Sequence, residues 1–260
     1  MTRHLLVVGA QRCGTTRLYE LLDAHPDIAM ARPARPEPKV FLSDEVAGRG
    51  LDWYRATFFA HATGERLLGE KSTSYLENPT APSRAATVLG AADIVVQLRD
   101  PVARAVSNWR FSVAQGLEDR PLARALDDNL CGPREWDPTR TSVSPYAYLE
   151  RGHYVDHLEP WYACFPDRVH VRFLEGAGEQ RAGVADLYAA LGVDPDFRVD
   201  GEDRRVNASS GPAPELDRAL VGRLRDHYRD SDARLAERLG QPLPWSSTAR
   251  PAAGRGAGRG

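Results

Sequence analysis

The N-terminal part of the chain combines a short apolar run with a glycine-containing loop. Residues 5–8 are apolar, and residues 9–16 read Gly-Ala-Gln-Arg-Cys-Gly-Thr-Thr. An apolar helical pattern then continues to residue 24. A strand that enters such a turn and then a helix directs several main-chain N–H groups at one point, and the helix N-terminus adds positive potential. The sequence therefore predicts a strand, an anion-binding loop and a helix over residues 15–24.

Apolar runs alternate with helical patterns along the rest of the chain. Strands are predicted at residues 67–69, 93–98 and 168–173. Helices are predicted at residues 81–89, 102–115, 148–165, 184–191 and 215–239. Residues 32–38 contain three prolines, which exclude a regular helix or central strand, and residues 116–146 are predicted to be loop-rich. The alternation predicts an α/β fold: a P-loop-like three-layer sandwich with a central, mainly parallel sheet flanked by helices.

Length and charge exclude several classes of protein. The 260 residues fit one large domain over residues 1–246, followed by a Gly/Arg-rich tail over residues 247–260 that is predicted to be disordered. A net charge of −2 gives no global basic field, so no nucleic-acid partner is expected. The three cysteines are far apart, which argues against disulfides. No apolar stretch has the length of a signal peptide or a membrane span, and a cytoplasmic location is expected.

The loop differs from a nucleoside-triphosphate loop at one decisive position. A Walker A loop carries lysine after its second glycine, whereas here Thr15 follows Gly14. The next long strand ends in Gln-Leu-Arg-Asp at residues 97–100, not in the simple apolar run followed by an acid that holds Mg²⁺ in nucleoside triphosphatases. A plain strand–helix turn is the alternative, but two glycines, two threonines and Arg12 converge here and favour phosphate binding. The loop therefore suits a phosphate but lacks the usual equipment for a triphosphate and a metal.

Four separated segments carry a family resemblance. They are residues 8–16, Glu-Pro-Lys-Val-Phe at 37–41, Gly-Glu-Lys-Ser-Thr-Ser-Tyr at 69–75, and residues 93–107 with Arg-Asp-Pro at 99–101. Together they resemble the PAPS-dependent sulfotransferases, most closely the heparan sulfate N- and 3-O-sulfotransferase domains and their bacterial relatives. The resemblance covers about residues 4–245. It implies an enzyme that uses 3′-phosphoadenosine 5′-phosphosulfate (PAPS), releases 3′-phosphoadenosine 5′-phosphate (PAP) and needs no metal.

The resemblance assigns the donor-binding residues. The 5′-phosphosulfate loop is represented by Gln11, Arg12, Cys13, Gly14, Thr15 and Thr16. The 3′-phosphate motif is represented by Arg99 at the strand end and Ser107 in the following helix. A late loop over the same phosphate is represented by Asn207, Ser209 and Ser210. From the residues alone, the alternative interpretation is that Arg99 forms a surface ion pair with Asp100, which is the commoner role of such residues.

The resemblance also assigns three catalytic residues. Glu37 corresponds to the general base that takes the acceptor proton, Lys71 reaches the transferring sulfate, and Arg12 stabilises the leaving phosphate. From the residues alone, Glu37 is equally a solvated loop acid between two prolines, and Lys71 a surface lysine. The strand–loop position of Lys71 favours the functional interpretation.

The acceptor pocket is less constrained. The resemblance places Lys39, Tyr75, His153 and Tyr154 near it. Lys39 stands where relatives often carry histidine, Tyr75 either lines the pocket or fills the core, and His153 is either an acid–base group or a structural histidine. The expected acceptor is a hydroxyl, with an amine second, on a small molecule, a sugar or a lipid. The chain lacks the Lys-Gly-Arg loop and the cysteine pair of the animal glycosaminoglycan enzymes, which argues against a heparan-like polymer.

Two rival functions stay open at this point. A P-loop kinase with an altered lysine predicts Mg²⁺-dependent turnover of ATP. A non-catalytic nucleotide-binding protein predicts tight binding of PAP and no effect of changing Glu37.

Overall fold

Five parallel strands form the central sheet in the part of the chain that the computed structural model describes, residues 2–137, 139, 141, 143–175, 180–198 and 215–246. They are β1 (Arg3–Gly9), β2 (Ile28–Met30), β3 (Leu67–Lys71), β4 (Ala92–Leu98) and β5 (Val169–Phe173). Their order across the sheet is β2-β3-β1-β4-β5, and every neighbouring pair is parallel. β1 therefore ends between the ends of β3 and β4.

Helices cover both faces of this sheet. They are α1 (Thr15–Ala24), α2 (Asp44–Ala47), α3 (Gly50–Phe58), α4 (Ala81–Leu89), α5 (Pro101–Ala114), α6 (Leu122–Asn129), α7 (Tyr154–Cys164), α8 (Gln180–Leu191) and α9 (Arg218–Leu239). Short 3₁₀ turns lie at Val40–Leu42 and Glu150–Gly152. No helix among the described residues is both long and apolar enough to cross a membrane.

Alternation along β1 divides the core into two layers. Leu6 and Val8 belong to one apolar cluster, which includes Trp161 of α7, while Leu5 and Val7 belong to another, which includes Leu22 of α1. Successive strand residues point to opposite faces, so each face receives its own helices. A third cluster joins α5, α6 and α9. The predicted three-layer α/β architecture is confirmed.

The structure adds elements that the sequence pattern did not predict. β2, α2 and α3 were not predicted, and α6 lies within the segment expected to be loop-rich. β2 has three residues, too few for a periodic signal, and its place is fixed by pairing with β3. The helix predicted over residues 148–165 begins only at Tyr154, because the Asn129 side chain accepts the main-chain N–H groups of Tyr148 and Leu149 and holds them in a turn.

Candidate active site

The loop after β1 is shaped by two residues in the left-handed region. Arg12 has φ 67° and Gly14 has φ 79°. A Cβ on Gly14 would lie 3.0 Å from both the Gln97 Nε2 and the Leu174 Cδ1 atoms, so glycine is required there. α1 begins at Thr15 without a side-chain cap. The Arg17 N–H donates to the Gly14 carbonyl at 3.0 Å, so the N–H groups of Thr15 and Thr16 are the ones that an anion can use.

The end of β4 supports this loop from behind. The Gln97 amide donates to the Cys13 carbonyl at 2.5 Å, and the Ala10 N–H donates to the Gln97 carbonyl at 2.9 Å. Sequence reasoning missed Gln97, although a polar residue inside a buried apolar strand was a visible signal. The Cys13 thiol is fully buried, and burial raises its pKa to about 12. Cys13 was predicted to bind the donor, but its thiol and carbonyl face the protein, so it supports the loop.

Arg12 and Arg99 are half-buried and lie close to each other at the loop. The Arg12 Nε donates to the Ser107 hydroxyl at 3.2 Å, and Arg99 donates to the Arg12 carbonyl at 3.4 Å. The Arg12 guanidinium also lies over the Phe111 ring, 4.9 Å from its centre. Burial lowers the pKa of Arg12, and repulsion from Arg99 lowers it further. An anion bound between these two cations would relieve that repulsion.

Glu37 and Lys71 form an ion pair beside the loop. Lys71 is the last residue of β3 and pairs in register with Val7 of β1, two residues before Gly9. Its ammonium contacts the Glu37 carboxylate, and the two side chains are 8% and 18% exposed. The Thr73 N–H donates to the same carboxylate at 3.0 Å. The Thr73 hydroxyl also donates to it, at 3.2 Å. Partial burial with these three donors fixes the orientation of Glu37, unlike the solvated acid that was the alternative.

Lys39 lies two residues after Glu37 and has a left-handed conformation with φ 55°. Its main-chain N–H donates to the Ser72 hydroxyl at 3.0 Å, and the 3₁₀ turn Val40–Leu42 starts at the next residue. The side chain of Lys39 is half-buried. Its assignment to the acceptor pocket stays a prediction.

Tyr75 and Tyr154 do not line an open pocket, and this part of the prediction is corrected. Both side chains are completely buried. The Tyr75 hydroxyl donates to Glu70 at 2.6 Å, and the Tyr154 hydroxyl donates to the Arg99 carbonyl at 2.8 Å. Each phenol satisfies its hydroxyl inside the core, as a buried tyrosine must. Tyr154 thus holds the main chain beneath the proposed 3′-phosphate site.

His153 lies against α9. Its Nε2 is 3.0 Å from the Nε2 of His227, and its ring also packs on Tyr228. Burial lowers the pKa of His153, and the neighbouring His227 lowers it further. The structural alternative fits these contacts, because none of them reaches Glu37, Lys71 or Arg12.

The Gln11 side chain is held by Glu77. Its amide donates to the Glu77 carboxylate at 2.5 Å, and the buried Arg151 donates to the other oxygen of Glu77, also at 2.5 Å. Glu77 and Arg151 were missed from the sequence because they are 74 residues apart. The remaining predicted donor residues, Asn207, Ser209 and Ser210, lie outside the described residues.

No group of three or more metal-binding side chains occurs among the residues that the structure describes. The residues that converge here are cations, hydroxyls, main-chain N–H groups and one oriented carboxylate. Such a set suits an anionic substrate and a proton acceptor beside it.

The fold defines a class, the P-loop-like α/β proteins, and the candidate site lies at the carboxyl edge of the parallel sheet. A family model for the sulfotransferase domain matches residues 2–177. The chain belongs to this family, which is a family of enzymes.

Comparison with individual proteins agrees with the family. Heparan sulfate glucosamine 3-O-sulfotransferase 6 of Homo sapiens is 30% identical over 92% of this chain and 72% of its own length. Heparan sulfate glucosamine 3-O-sulfotransferase 3B1 of Homo sapiens is 28% identical over 92% of this chain. The chain spans 64% of that relative, and 30% of the bifunctional heparan sulfate N-deacetylase/N-sulfotransferase 4 of Mus musculus.

A solved structure has the same fold. The sulfotransferase from Alicyclobacillus acidocaldarius superposes with a TM-score of 0.75 at 26% identity, covering 96% of this chain and 100% of that one. The similarity therefore includes the whole of that protein and nearly all of this chain.

Proposed function

We propose that the protein transfers the sulfuryl group of PAPS to an acceptor hydroxyl by in-line displacement, with Glu37 as the base. The Glu37–Lys71 pair carries this proposal. It places an oriented carboxylate and a cation at the end of β3, directly beside the anion loop at the end of β1. A base must lie within hydrogen-bond reach of the acceptor proton while the donor is held next to it.

The donor side of the proposal rests on the loop and the two arginines. The N–H groups around Gly14, Thr15 and Thr16 are the proposed 5′-phosphosulfate site. Arg99 and Ser107 are the proposed 3′-phosphate site, where Arg99 can make charge-assisted hydrogen bonds. Arg12 reaches from the loop to Ser107 and so borders both.

The chemistry then needs one proton transfer and one displacement. The acceptor O–H proton moves to Glu37 while its oxygen forms a bond to sulfur. The bond between sulfur and the bridging oxygen breaks, and PAP leaves with that oxygen. Arg12 stabilises the charge that develops on the leaving phosphate, and Lys71 stabilises the sulfuryl oxygens. The products are a sulfate ester, PAP and one proton on Glu37.

Sugar hydroxyls are the first acceptor class to test, because the curated relatives described above are named for heparan sulfate. Phenols and lipid alcohols follow, and amines come last. The chain lacks the Lys-Gly-Arg loop and the cysteine pair of the animal glycosaminoglycan enzymes. These two differences argue for a small sugar rather than a heparan-like polymer.

Binding and transfer are tested together. Calorimetry with PAP is expected to give a dissociation constant in the micromolar range or tighter, without a metal. Transfer of ³⁵S-labelled sulfate from PAPS is then measured with an acceptor panel of sugars, phenols and lipid alcohols. Amines are tested as a separate group. Transfer that is unaffected by EDTA supports the proposal.

The rivals give different results in the same experiments. Tighter binding of ATP with Mg²⁺ than of PAP would indicate a kinase and overturn the proposal. Tight PAP binding with no transfer to any acceptor or to water would indicate a non-catalytic nucleotide-binding protein.

A further inference from the structure

Glu70 is a buried carboxyl group next to the proposed catalytic lysine. It is the fourth residue of β3, immediately before Lys71, and its exposure is 0%. Within the described part of the chain it forms no ion pair. Instead it accepts three hydroxyl hydrogen bonds, from Tyr54 at 2.8 Å and from Ser72 and Tyr75 at 2.6 Å each. Burying a carboxyl group without a cation costs free energy, so its hydrogen-bond partners must offset that cost.

Two of these hydroxyls connect Glu70 to the main chain that follows Glu37. The Lys39 N–H donates to the Ser72 hydroxyl at 3.0 Å, and the Phe41 N–H donates to the Tyr75 hydroxyl at 3.1 Å. A main-chain N–H can only donate, so each hydroxyl accepts from the main chain. Its own hydrogen is then directed at the Oε1 atom of Glu70. The direction of every bond in both bridges is thereby fixed.

The bridges end on a segment that is not relaxed by itself. Lys39 has φ 55°, a conformation that costs a non-glycine residue about 1 kcal/mol or more. Glu37 lies two residues before it, and the Glu37 carboxylate contacts Lys71 and Thr73, which alternate along the chain with Glu70 and Ser72. At the end of β3, Lys71 and Thr73 therefore bind the Glu37 side chain. Glu70 and Ser72 hold the main chain that follows Glu37.

We propose that Glu70 is a positioning residue: through Ser72 and Tyr75 it fixes the main chain of residues 39–41, and through that main chain it fixes the Glu37 carboxylate against Lys71. This inference rests on the proposed role of Glu37 as the base. Glu70 itself does not touch the donor or the acceptor.

Tyr54 provides a matched control. Its hydroxyl donates to the other oxygen of Glu70, and its side chain is as completely buried as that of Tyr75. It lies in α3, and no N–H of residues 39–41 is found on its hydroxyl in the described structure. Tyr54→Phe therefore removes the same kind of bond from the same carboxylate without cutting a bridge.

The test compares Ser72→Ala and Tyr75→Phe with Tyr54→Phe in the full chain. Two quantities are measured: amide hydrogen exchange of the peptide covering residues 37–42, and kcat for transfer of ³⁵S-sulfate from PAPS. Both bridge variants are expected to speed exchange of that peptide. They should also lower kcat about tenfold, since small misplacements of a catalytic group are expensive. The PAP dissociation constant should stay within about twofold. Tyr54→Phe should lower the melting temperature similarly but leave exchange at 37–42 and kcat nearly unchanged.

Glu70 variants separate position from charge. In Glu70→Gln, the amide oxygen can still accept from Ser72 and Tyr75, and the amide nitrogen can donate to Tyr54 once that hydroxyl rotates. Glu70→Gln should therefore retain most of the kcat that Glu70→Met loses. Equal losses in the two variants would overturn the positioning role in favour of a charge effect.

The exchange measurement keeps this inference separable from the proposed function. Equal exchange at residues 37–42 in all three hydroxyl variants would overturn the inference even if wild-type sulfuryl transfer is strong. Absence of PAP binding and of transfer in the wild-type protein would overturn the proposed function, whatever the exchange pattern.

Discussion

The two sides of the candidate site are built from opposite kinds of groups. On the donor side, defined here as residues 9–16 with Arg99 and Ser107, neither Arg12 nor Arg99 forms an ion pair with a described residue. On the base side, defined as residues 37–41 with 70–73, the acidic groups have partners within the protein: Glu37 pairs with Lys71, and Glu70 accepts three hydroxyl hydrogen bonds.

This difference separates affinity from chemistry. Two partly buried cations that lie close together repel each other and lack a counter-charge. Binding of an anionic ligand there is therefore favourable. A carboxylate that is already paired gains little from a ligand, but its orientation is set before the substrate arrives. Changes on the donor side should therefore act on binding, and changes on the base side on turnover.

The largest expected effect is on turnover. Glu37→Gln keeps the shape of the side chain but removes the proton acceptor, so kcat should fall at least about 100-fold. The PAP dissociation constant should stay within about twofold in calorimetry. Glu45→Gln, an exposed acid in α2, is the control for the loss of one charge. A parallel loss of PAP affinity in Glu37→Gln would contradict the separation of the two sides.

Donor affinity comes next. Arg99→Ala should weaken PAP binding about 10- to 100-fold, the range expected for a charged hydrogen bond. AMP lacks the 3′-phosphate, so its affinity should change much less. Arg66→Ala, an exposed arginine before β3, removes the same charge at the other edge of the sheet. An equal effect of Arg99→Ala on PAP and AMP would place Arg99 away from the 3′-phosphate.

A smaller effect is expected from the geometry of the loop. Gly14→Ala combines a left-handed φ with crowding by Gln97 and Leu174, and should destabilise the protein by about 2 kcal/mol in chemical denaturation. Gly240→Ala has the same left-handed conformation, with φ 64° and ψ 22°, but nothing within 4 Å, so it reports the backbone cost alone. Gly14→Ala should also weaken PAP binding, whereas Gly240→Ala should not. Equal destabilisation by both would show that the crowding relaxes.

The smallest effect concerns the support behind the donor side. Burial raises the pKa of Asp232 from 3.8 to about 6, although the Trp245 N–H donates to it. The folded protein then favours the neutral acid, so the stability from this group is present below pH 3.8 and lost as the pH rises through 6. Thermal melts should show Asp232→Asn gaining about 2 °C on wild type between pH 5 and 7.5. A pH-independent difference would contradict this.

Local features of the fold were predictable from the sequence. The strand, the loop and the helix of residues 3–24 are adjacent in the sequence, so their order could be predicted from local patterns, although Gln97 of β4 supports the loop. The start of α5 is equally local, because Asp100 caps it and Pro101 occupies its first turn. Short strands and helices such as β2 and α2 were not predictable, since three or four residues carry no period.

The sequence by itself determined the alternating α/β pattern, the glycine-containing loop between β1 and α1, and the order of the motifs, because each depends on neighbouring residues. Only the tertiary structure decided that Glu37 meets Lys71 across 34 residues, and that Tyr75 and Tyr154 lie in the core. It also revealed Glu70 as the acceptor of three hydroxyls. The physical reason is that a side chain's partner across the sheet depends on strand register and packing, which no spacing along the chain encodes.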